Sequence, residues 1–246
     1  MERSDDPLAA LSQDARSAWE ESMFERFPRS AARALLSEAR EVSYGEEEVL
    51  YAGSSQPGSR LLALIVDGLV RTFMTTADGR QATLRYLGHG SVLGVPSALD
   101  ADNTMVRAET RTPTRLLRIP ARRFRTVVQG DASAAWSVTQ YLLHQFAETE
   151  RMLATNVFLP VGARIAIHLL DLAERDGSRL VVSASHQDIA AAAGSVREVV
   201  SRKLKQLQEA GVVARLEDRR IALLDTAALH ELARGVPPAS LADFST

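Results

Sequence analysis

The sequence of 246 residues predicts an α+β protein: an antiparallel β-roll (jelly roll), then a long dimerisation helix, then a helix-turn-helix with a hairpin. Residues 41–120 contain short apolar runs separated by glycines, a pattern typical of short strands joined by turns. Residues 131–158 contain a heptad pattern, which favours a helix that pairs with another helix. Residues 185–224 contain start and stop signals for two short helices and then for a hairpin.

The first forty residues are predicted to form helices that pack on the next domain. Aromatic and methionine side chains recur at helical spacing between Trp19 and Phe27. Pro28 interrupts this pattern, and helical spacing resumes over residues 31–39.

Between Glu41 and Pro120, glycines separate apolar runs of strand length. Such strands, recurring every 8–12 residues, indicate an antiparallel barrel or jelly roll. The tripeptide Ala77-Asp78-Gly79 lies between two of the runs and is typical of a hairpin turn. The glycines that mark the turns are Gly45, Gly53, Gly58, Gly68, Gly79, Gly88, Gly90 and Gly94.

The segment that follows the roll has a heptad seam, the pattern of a helix that pairs with its own copy. The alternative is that this helix packs on the chain's own roll. Pairing and packing on the roll can both hold, because Tyr141 and Leu142 point away from the seam. Glu150 would be costly in this seam if buried without a partner, so it could fix the register or meet a ligand. The seam residues are Trp136, Thr139, Leu143, Phe146, Glu150, Leu153 and Val157.

Near the carboxyl end, two helices are predicted on either side of a glycine turn. Ser185 and Asp188 have the spacing of a capping box at a helix start. Ser195 and Glu198 repeat that spacing after the turn glycine, Gly194, and predict a second start. A later glycine, Gly211, is expected to end the second helix. Two helices joined in this way suggest a helix-turn-helix whose second helix enters the DNA major groove.

The second helix is predicted to have an apolar arc and a polar arc. The apolar arc should pack on Ile189 and Ala193 of the first helix, which turns the polar arc outward. Arginine can bond to guanine O6 and N7, and glutamate can accept from cytosine N4. The alternative is that the polar arc is an ordinary solvent-exposed helix face that contacts no DNA. The apolar arc is Val196, Val200, Leu204 and Leu207, and the polar arc is Arg197, Glu198, Ser201, Arg202 and Lys205.

The run QDIAAAAGSVREVVSRKLKQLQEAGVV resembles the DNA-binding motif of the CRP/FNR superfamily of bacterial transcription regulators. The core of that motif is R-E-x-[VI]-[SG]-R, and VVARLEDRRIALLD, followed by a helix after Asp225, is similar to the family's wing and closing helix. The resemblance implies a winged helix-turn-helix, a cytoplasmic homodimer on double-stranded DNA, and RNA polymerase as a further partner. It also implies that Arg197, Glu198 and Arg202 contact bases, and that the spacing of Glu198, Ser201 and Arg202 selects TTGA-like half-sites. Ser195, Lys205 and Arg219 complete the candidate DNA-binding set.

Composition limits the other classes of function. The formal net charge is −2, so any DNA affinity must come from a local basic patch, here Arg197 to Lys205 with Arg215, Arg219 and Arg220. The chain has no cysteine, which excludes a cysteine-ligated iron–sulfur cluster. The sequence has no basic-then-apolar leader and no apolar run long enough for a membrane span, so we expect a cytoplasmic protein without a membrane partner. No phosphate loop, nucleophile motif or metal-ligand cluster supports an enzyme.

Residues 41–125 resemble the cyclic-nucleotide-binding-type β-roll of the same superfamily, through Gly45, Gly53, the run from Leu62 to Val70 and the run from Gly88 to Gly94. Members that bind cyclic AMP carry G-E-[LI]-[AG] and then R-[ST]-A, which hold the ribose and the phosphate. Here the first segment is Gly94-Val95-Pro96-Ser97, which has no acid, and the second falls near Asp102-Asn103-Thr104. A carboxylate there would repel a phosphate, so cyclic AMP binding of the usual kind is not expected and the cofactor is unknown.

By the same resemblance, the effector-pocket candidates are Val95, Ser97, Arg107, Thr149 and Glu150. Arg107 is a conceivable substitute for the missing phosphate ligand, although a solvent-facing strand residue is the ordinary interpretation. His89 is the one histidine of the roll and a candidate haem ligand; His144 is a second candidate on the long helix.

The predicted domains are 1–40 (helical segment), 41–125 (β-roll effector-sensing domain), 126–158 (dimerisation helix), 159–236 (winged helix-turn-helix) and 237–246 (tail). The predicted function is a CRP/FNR-type transcription regulator, either controlled by an unidentified effector or constitutively active. Two alternatives are a haem-based gas-sensing regulator of the same architecture and a nucleotide-binding regulatory module without DNA activity. The last alternative requires a phosphate-binding arginine in the roll, where the aligned position offers an acid.

Overall fold

The computed structural model describes residues 6–51, 61–75, 79, 81–99, 106–216 and 220–235. The chain divides into two compact units, residues 1–146 and 147–246. The predictions that involve Gly53, Gly58, Ala77-Asp78, Asp102 to Thr104, Arg219 and the tail at 237–246 lie outside the described residues.

The described part of the first unit contains two α-helices, then eight strands with a short helix between the sixth and the seventh, and then two further helices, the last of which continues into the second unit. In chain order the elements are α1 (Gln13–Glu20), a 3-10 turn (Met23–Arg26), α2 (Arg29–Leu36), β1 (Arg40–Tyr44), β2 (Val49–Tyr51), β3 (Leu62–Asp67), β4 (Val70–Thr75), β5 (Gln81–Leu87), β6 (Val92–Leu93), α3 (Val95–Leu99), β7 (Val106–Thr110), β8 (Thr114–Ile119), α4 (Ala121–Gly130) and α5 (Ala132–Phe158).

The strands form two antiparallel sheets, β1-β8-β3-β6 and β2-β7-β4-β5, which confirms the predicted antiparallel roll. Side chains on a strand alternate between its two faces, and both faces of β3 are buried. Ala63 and Ile65 belong to the apolar cluster shared with β4 and β7 of the other sheet. Leu62 and Leu64 pack instead with the helices. This double burial explains why β3 is an unbroken apolar run rather than an alternating one.

The helices before the roll form a layer on its outer face, as the aromatic spacing predicts. The Ser12 side chain accepts from the Ala15 N–H and caps α1. The rings of Trp19 and Phe24 stack with their centroids 4.7 Å apart, and Phe24 is fully buried. Burying a side chain of this size contributes roughly 1.5–3 kcal/mol. Helix α2 ends at Leu36, three residues before the end of the predicted pattern.

The predicted first residue of the dimerisation helix, residue 126, is wrong. Two helices lie within the range 126–158, and the long one, α5, begins at Ala132. Helix α4 ends at Gly130, and Asp131 has an extended backbone with φ −135° and ψ 113°. The Asp131 carboxylate accepts from the N–H groups of Ser133 and Ala134, each at 2.9 Å, and so caps the start of α5. The boundary between the two compact units falls inside α5.

In its described residues, the second unit is a helical domain with one four-stranded sheet in the order β11-β12-β10-β9. A single apolar cluster, which includes Ile165, Leu169 and Ile189, packs its helices on this sheet. Strands β9 and β10 were not predicted, because each is four residues long and only Gly177 marks the turn. The elements are α6 (Val161–Asp171), β9 (Ala173–Asp176), β10 (Arg179–Val182), α7 (His186–Ala192), α8 (Arg197–Glu209), β11 (Val213–Arg215), β12 (Ile221–Leu223) and α9 (Thr226–Ala233).

Candidate nucleic-acid interface and the pocket of the roll

The first helix of the predicted helix-turn-helix begins with the expected capping box. The Ser185 hydroxyl accepts from the Asp188 N–H at 3.1 Å, and the Asp188 carboxylate accepts from the Ser185 N–H at 3.0 Å. Both side chains therefore satisfy backbone groups that a helix start leaves without partners. The prediction at this end of α7 is confirmed.

The second capping box, Ser195 with Glu198, is wrong. Gly194 has φ +57°, and the Ser195 N–H bonds to the Ala190 carbonyl at 2.9 Å, which is the hydrogen bond that closes a Schellman motif at the end of α7. Ser195 therefore belongs to the termination of α7. Helix α8 starts two residues later at Arg197, with Val196 as an N-cap that makes no side-chain hydrogen bond.

Helix α8 separates into the two predicted arcs with one exception. Val200 and Leu207 are fully buried. Ile189 of α7 and Ala193, the C-cap of α7, are fully buried as well. Val196 was expected in the buried arc but is 54% exposed, because it lies before the first helical residue. Leu204 is also buried, as predicted, and so is Lys203, which the sequence did not assign to either arc.

The predicted polar arc lies on the solvent side of α8. The side chains of Arg197, Glu198, Arg202 and Lys205 are exposed, and Ser201 is half-buried. The predicted hairpin follows as β11 and β12, and Asp225 caps α9 through the Ala228 N–H. The structure thus places four of the predicted DNA-binding side chains on one accessible surface, and their contact with DNA stays a prediction.

A cleft of about 700 Å³, here named the His186 cleft, lies between the start of α7, the start of α8 and the hairpin. His186 Nδ1 is 2.8 Å from Ser201 Oγ, so a hydrogen bond joins the two helices. Burial lowers the pKa of the His186 imidazole, and the charges of Arg215 and Arg197 lower it further. Sequence reasoning missed His186, because its partner on α8 is fifteen residues away in the sequence. The described lining is Ser183, Ala184, Ser185, His186, Gln187, Arg197, Arg215 and Arg220.

The predicted seam residues of α5 lie on the surface of the chain. The side chains of Trp136, Leu143, Phe146, Leu153 and Val157 are between 59% and 65% exposed, although all five are large and apolar. Thr139 and Glu150 are exposed as well. Single exposed apolar residues are common, but a series at heptad spacing is typical of an interface.

Inside the roll lies a small apolar pocket of about 130 Å³. Ser97, one of the predicted effector-pocket residues, lines it and donates its hydroxyl hydrogen to the Gly94 carbonyl at 3.0 Å. The described lining contains no charged side chain. It consists of Leu61, Thr72, Leu93, Gly94, Pro96, Ser97, Val106 and Ala108.

Two of the other effector-pocket candidates lie elsewhere. Val95 is buried in the cluster formed with the helices. Arg107 is exposed on β7, whereas Val106 and Ala108 on either side of it line the pocket, because successive strand residues point to opposite faces. Thr149 and Glu150 belong to the second unit, and their role in a pocket stays a prediction.

The candidate haem ligand His89 is bonded to protein atoms in the first unit. Its Nδ1 lies 2.7 Å from the Val66 carbonyl oxygen, and its Nε2 lies 3.4 Å from Ser17 Oγ and 3.5 Å from a Glu21 carboxylate oxygen. These contacts fasten the turn before β6 to β3 and α1. His144 is exposed on α5.

The described part of the chain shows neither a group of three metal-ligating side chains nor a helix that could span a membrane. Of the usual cyclic AMP contacts, the described residues test only the one to the ribose. The segment from Gly94 to Ser97 supplies no carboxylate for a ribose hydroxyl, and the pocket beside it is apolar.

Comparisons with known proteins agree with this architecture. A family model of cyclic nucleotide-binding domains matches residues 41–131, and one of Crp-like helix-turn-helix domains matches residues 163–232. The transcriptional regulator LdrP of Thermus thermophilus is 33% identical over 201 residues, which cover 76% of this chain and 93% of that protein. The CRP-like cAMP-activated global transcriptional regulator of Mycobacterium tuberculosis is 26% identical over 86% of this chain and 96% of its own length.

A solved structure shows the same fold. The crystal structure of a regulator of the crp/fnr family from Eubacterium rectale matches with a TM-score of 0.73 and 22% identity, over 86% of this chain and 97% of that one. Together with the two domain matches and the LdrP similarity, this result confirms the resemblance found in the sequence. The chain belongs to the CRP/FNR family of DNA-binding transcription regulators.

Proposed function

We propose that this regulator binds as a homodimer to a palindromic DNA site with TTGA-like half-sites, with RNA polymerase as its partner at the promoter. The arrangement of α8 carries the proposal. Its aliphatic side, through Val200 and Leu207, is fixed in the core, and Arg197, Glu198 and Arg202 project from its other side. A fixed helix with an exposed row of guanidinium and carboxylate groups suits hydrogen bonding to base edges in a major groove.

The exposed seam of α5 supports the homodimer. One helix-turn-helix offers few base contacts, whereas a two-fold pair places two α8 helices about 34 Å apart, in successive major grooves of one DNA face. Heptad spacing with Leu143 and Leu153 at core positions supplies the apolar surface that such pairing buries. An effector would regulate binding only if its affinity differed between two arrangements of the dimer.

We do not expect the roll to bind cyclic AMP through the usual contacts, whether the regulator has another effector or is constitutively active. The described pocket lining is uncharged, so none of its side chains could compensate the charge of a buried cyclic phosphate. Arg107, the conceivable substitute, is exposed on the opposite face of β7. Titration calorimetry of the full chain with cyclic AMP, with and without DNA, should show no saturable heat. Saturable binding that also tightens DNA binding would contradict this part of the proposal.

Selection of bound fragments from random DNA tests the proposed function. The full chain should enrich a palindrome whose TTGA-like half-sites are about one helical turn apart. Glu198→Ala should change the enriched half-site, because the carboxylate would no longer accept from a cytosine amino group. The matched control Glu174→Ala, an exposed carboxylate on β9, should enrich the wild-type sequence. No enriched sequence, or the same sequence from Glu198→Ala as from wild type, would overturn the proposal.

A further inference from the structure

The His186 cleft contains a titratable group that the proposed base contacts do not use. His186 is half-buried at the first position of α7, and Ser201, its hydrogen-bond partner, lies on the polar arc of α8. Arg197 of α8 and Arg215 of β11 also line the cleft. Three elements of the second unit therefore direct cationic or polar side chains at one space.

The charges around His186 oppose its protonation in the protein alone. Burial and the two arginines Arg215 and Arg197 hold the pKa of the imidazole below its ordinary value. Arg220 also lines the cleft and is paired with Asp176 at 2.8 Å, and Asp188 bonds to Ser185. The hairpin tip at 217–219 lies outside the described residues. An anion that entered the cleft would offset the arginine charges and favour the imidazolium ion.

The protonation state of His186 also decides what Ser201 can offer to DNA. When neutral Nδ1 accepts from the Ser201 hydroxyl, the hydroxyl hydrogen is used inside the protein. When both ring nitrogens carry protons, Nδ1 donates to Ser201 Oγ, and the hydroxyl hydrogen can point outward. Nε2 remains a donor. A phosphate diester has acceptors only, so the protonated pair offers it two donors and suits it better than the neutral pair.

We propose that a DNA backbone phosphate occupies the His186 cleft and that His186 binds it in the protonated form, so that DNA binding takes up a proton at this residue. This inference rests on the proposed function, since it requires that α8 approach DNA. It goes beyond that function by naming a phosphate-binding residue and a proton that is taken up on binding. The affinity gained from protonation is fully present below the pKa of His186 in the protein alone, and it is lost as pH rises through the higher pKa in the complex.

The experiment measures the dissociation constant of the full chain between pH 5.5 and 8.5 at fixed salt. Two labelled duplexes of equal length are used, one with two TTGA half-sites one helical turn apart and one with a scrambled sequence. Wild-type affinity should fall with rising pH for both duplexes, because phosphate contacts are present in any sequence. Uptake of one proton limits this fall to about tenfold per pH unit.

The variant His186→Gln keeps a neutral side chain that can bond to Ser201 and should remove this component of the pH dependence on both duplexes. His230→Gln, an exposed histidine on α9, is the matched control and should titrate like wild type. A His186→Gln protein that binds DNA with the wild-type pH profile would overturn the inference and leave the proposed function intact. A wild-type protein that binds neither duplex at any pH would overturn both.

A measurement on the wild-type protein does not depend on the folding of a variant. In NMR spectra of chain labelled at histidine, the His186 imidazole should be neutral at pH 7 without DNA. Its signals should shift to those of the imidazolium ion when the TTGA or the scrambled duplex is added. An imidazole that stays neutral in the bound complex would overturn the inference directly.

Discussion

Arg164 joins the end of α5 to the turn of the helix-turn-helix through the carbonyl oxygen of Ala193. Its Nε donates to Ala193 at 2.8 Å, and its Nη1 donates to the carbonyls of Asn156 and Leu159 at 2.8 and 3.2 Å. The last carbonyls of a helix have no partners within that helix. Here the guanidinium of Arg164 donates to carbonyls at the ends of both α5 and α7. Burial lowers the pKa of Arg164. The position of α7 is therefore tied to the last turn of α5 within the second unit.

Arg164→Lys should weaken this connection, because an ammonium group cannot match the planar fork of a guanidinium. We expect the free energy of unfolding of the second unit to fall by about 1–3 kcal/mol as carbonyls lose their donor. Denaturant unfolding followed by circular dichroism measures the change. Arg175→Lys, at an exposed position on β9, is the control and should unfold like wild type. Equal stabilities for Arg164→Lys and wild type would show that the three hydrogen bonds are dispensable.

Arg202→Ala should weaken binding to the selected DNA site by about 1–3 kcal/mol and relax the preference at one base pair. The side chain is exposed on the polar arc, so the fold should not change. Fluorescence anisotropy with the selected duplex and with single-base variants of it measures both effects. Equal losses on selected and random DNA would argue against a base contact by Arg202.

Lys205→Ala should instead weaken binding to all duplexes alike and reduce the slope of log affinity against log salt by about one. Lys205 lies on α8 one turn beyond Ser201 and is exposed, and its ammonium group is 3.6 Å from the Glu209 carboxylate of the next turn, so it remains accessible to a DNA phosphate. Anisotropy titrations at several salt concentrations measure the slope. A loss confined to the selected duplex would assign Lys205 to a base rather than to a phosphate.

Local signals predicted the helix-turn-helix well. They failed at Ser195, whose spacing indicates the start of α8 but whose N–H group ends α7. Ser185 and Asp188 cap α7 as expected, because a capping box depends only on residues three positions apart. Ser195 has the same spacing to Glu198, but its N–H already closes the end of α7. Gly211 ends α8 as predicted, with φ +73° and a hydrogen bond from the Val212 N–H to the Leu207 carbonyl.

The contacts that join separate elements could not be predicted from spacing. The hydrogen bond between His186 and Ser201 depends on how α7 and α8 cross, and no periodicity encodes that crossing. The hydrogen bond from Arg164 to the Ala193 carbonyl likewise depends on how separate helices pack, which no periodicity encodes. Arg107 is exposed, as its ordinary interpretation held; the sequence could not exclude a pocket position, because the face of a strand residue follows from its register, and the register is unknown without the bounds of β7.

The double variant Leu143→Glu/Leu153→Glu should convert the proposed homodimer to monomers, since charges at core seam positions repel and lose hydration on pairing. Both side chains are exposed in the single chain, so the monomer should stay folded. Analytical ultracentrifugation measures the mass, and affinity for the palindromic duplex should fall strongly as one half-site is lost. His144→Glu, also exposed on α5 but outside the seam, is the control. A double variant that remains a dimer would place the interface elsewhere.

Gly94→Ala should destabilise the first unit more than Gly79→Ala does. Both glycines have a positive φ, +80° and +82°, so both substitutions carry the cost of a left-handed backbone, about 1–3 kcal/mol. A Cβ at Gly94 would lie 1.6 Å from the Leu61 carbonyl oxygen, whereas a Cβ at Gly79 would meet no atom of the described residues within 4 Å. The backbone at Gly94 must therefore move away from the backbone at Leu61 to admit a methyl group, and both residues line the pocket of the roll. Thermal unfolding of both variants measures the difference, and equal melting temperatures would mean that the turn before α3 yields without cost.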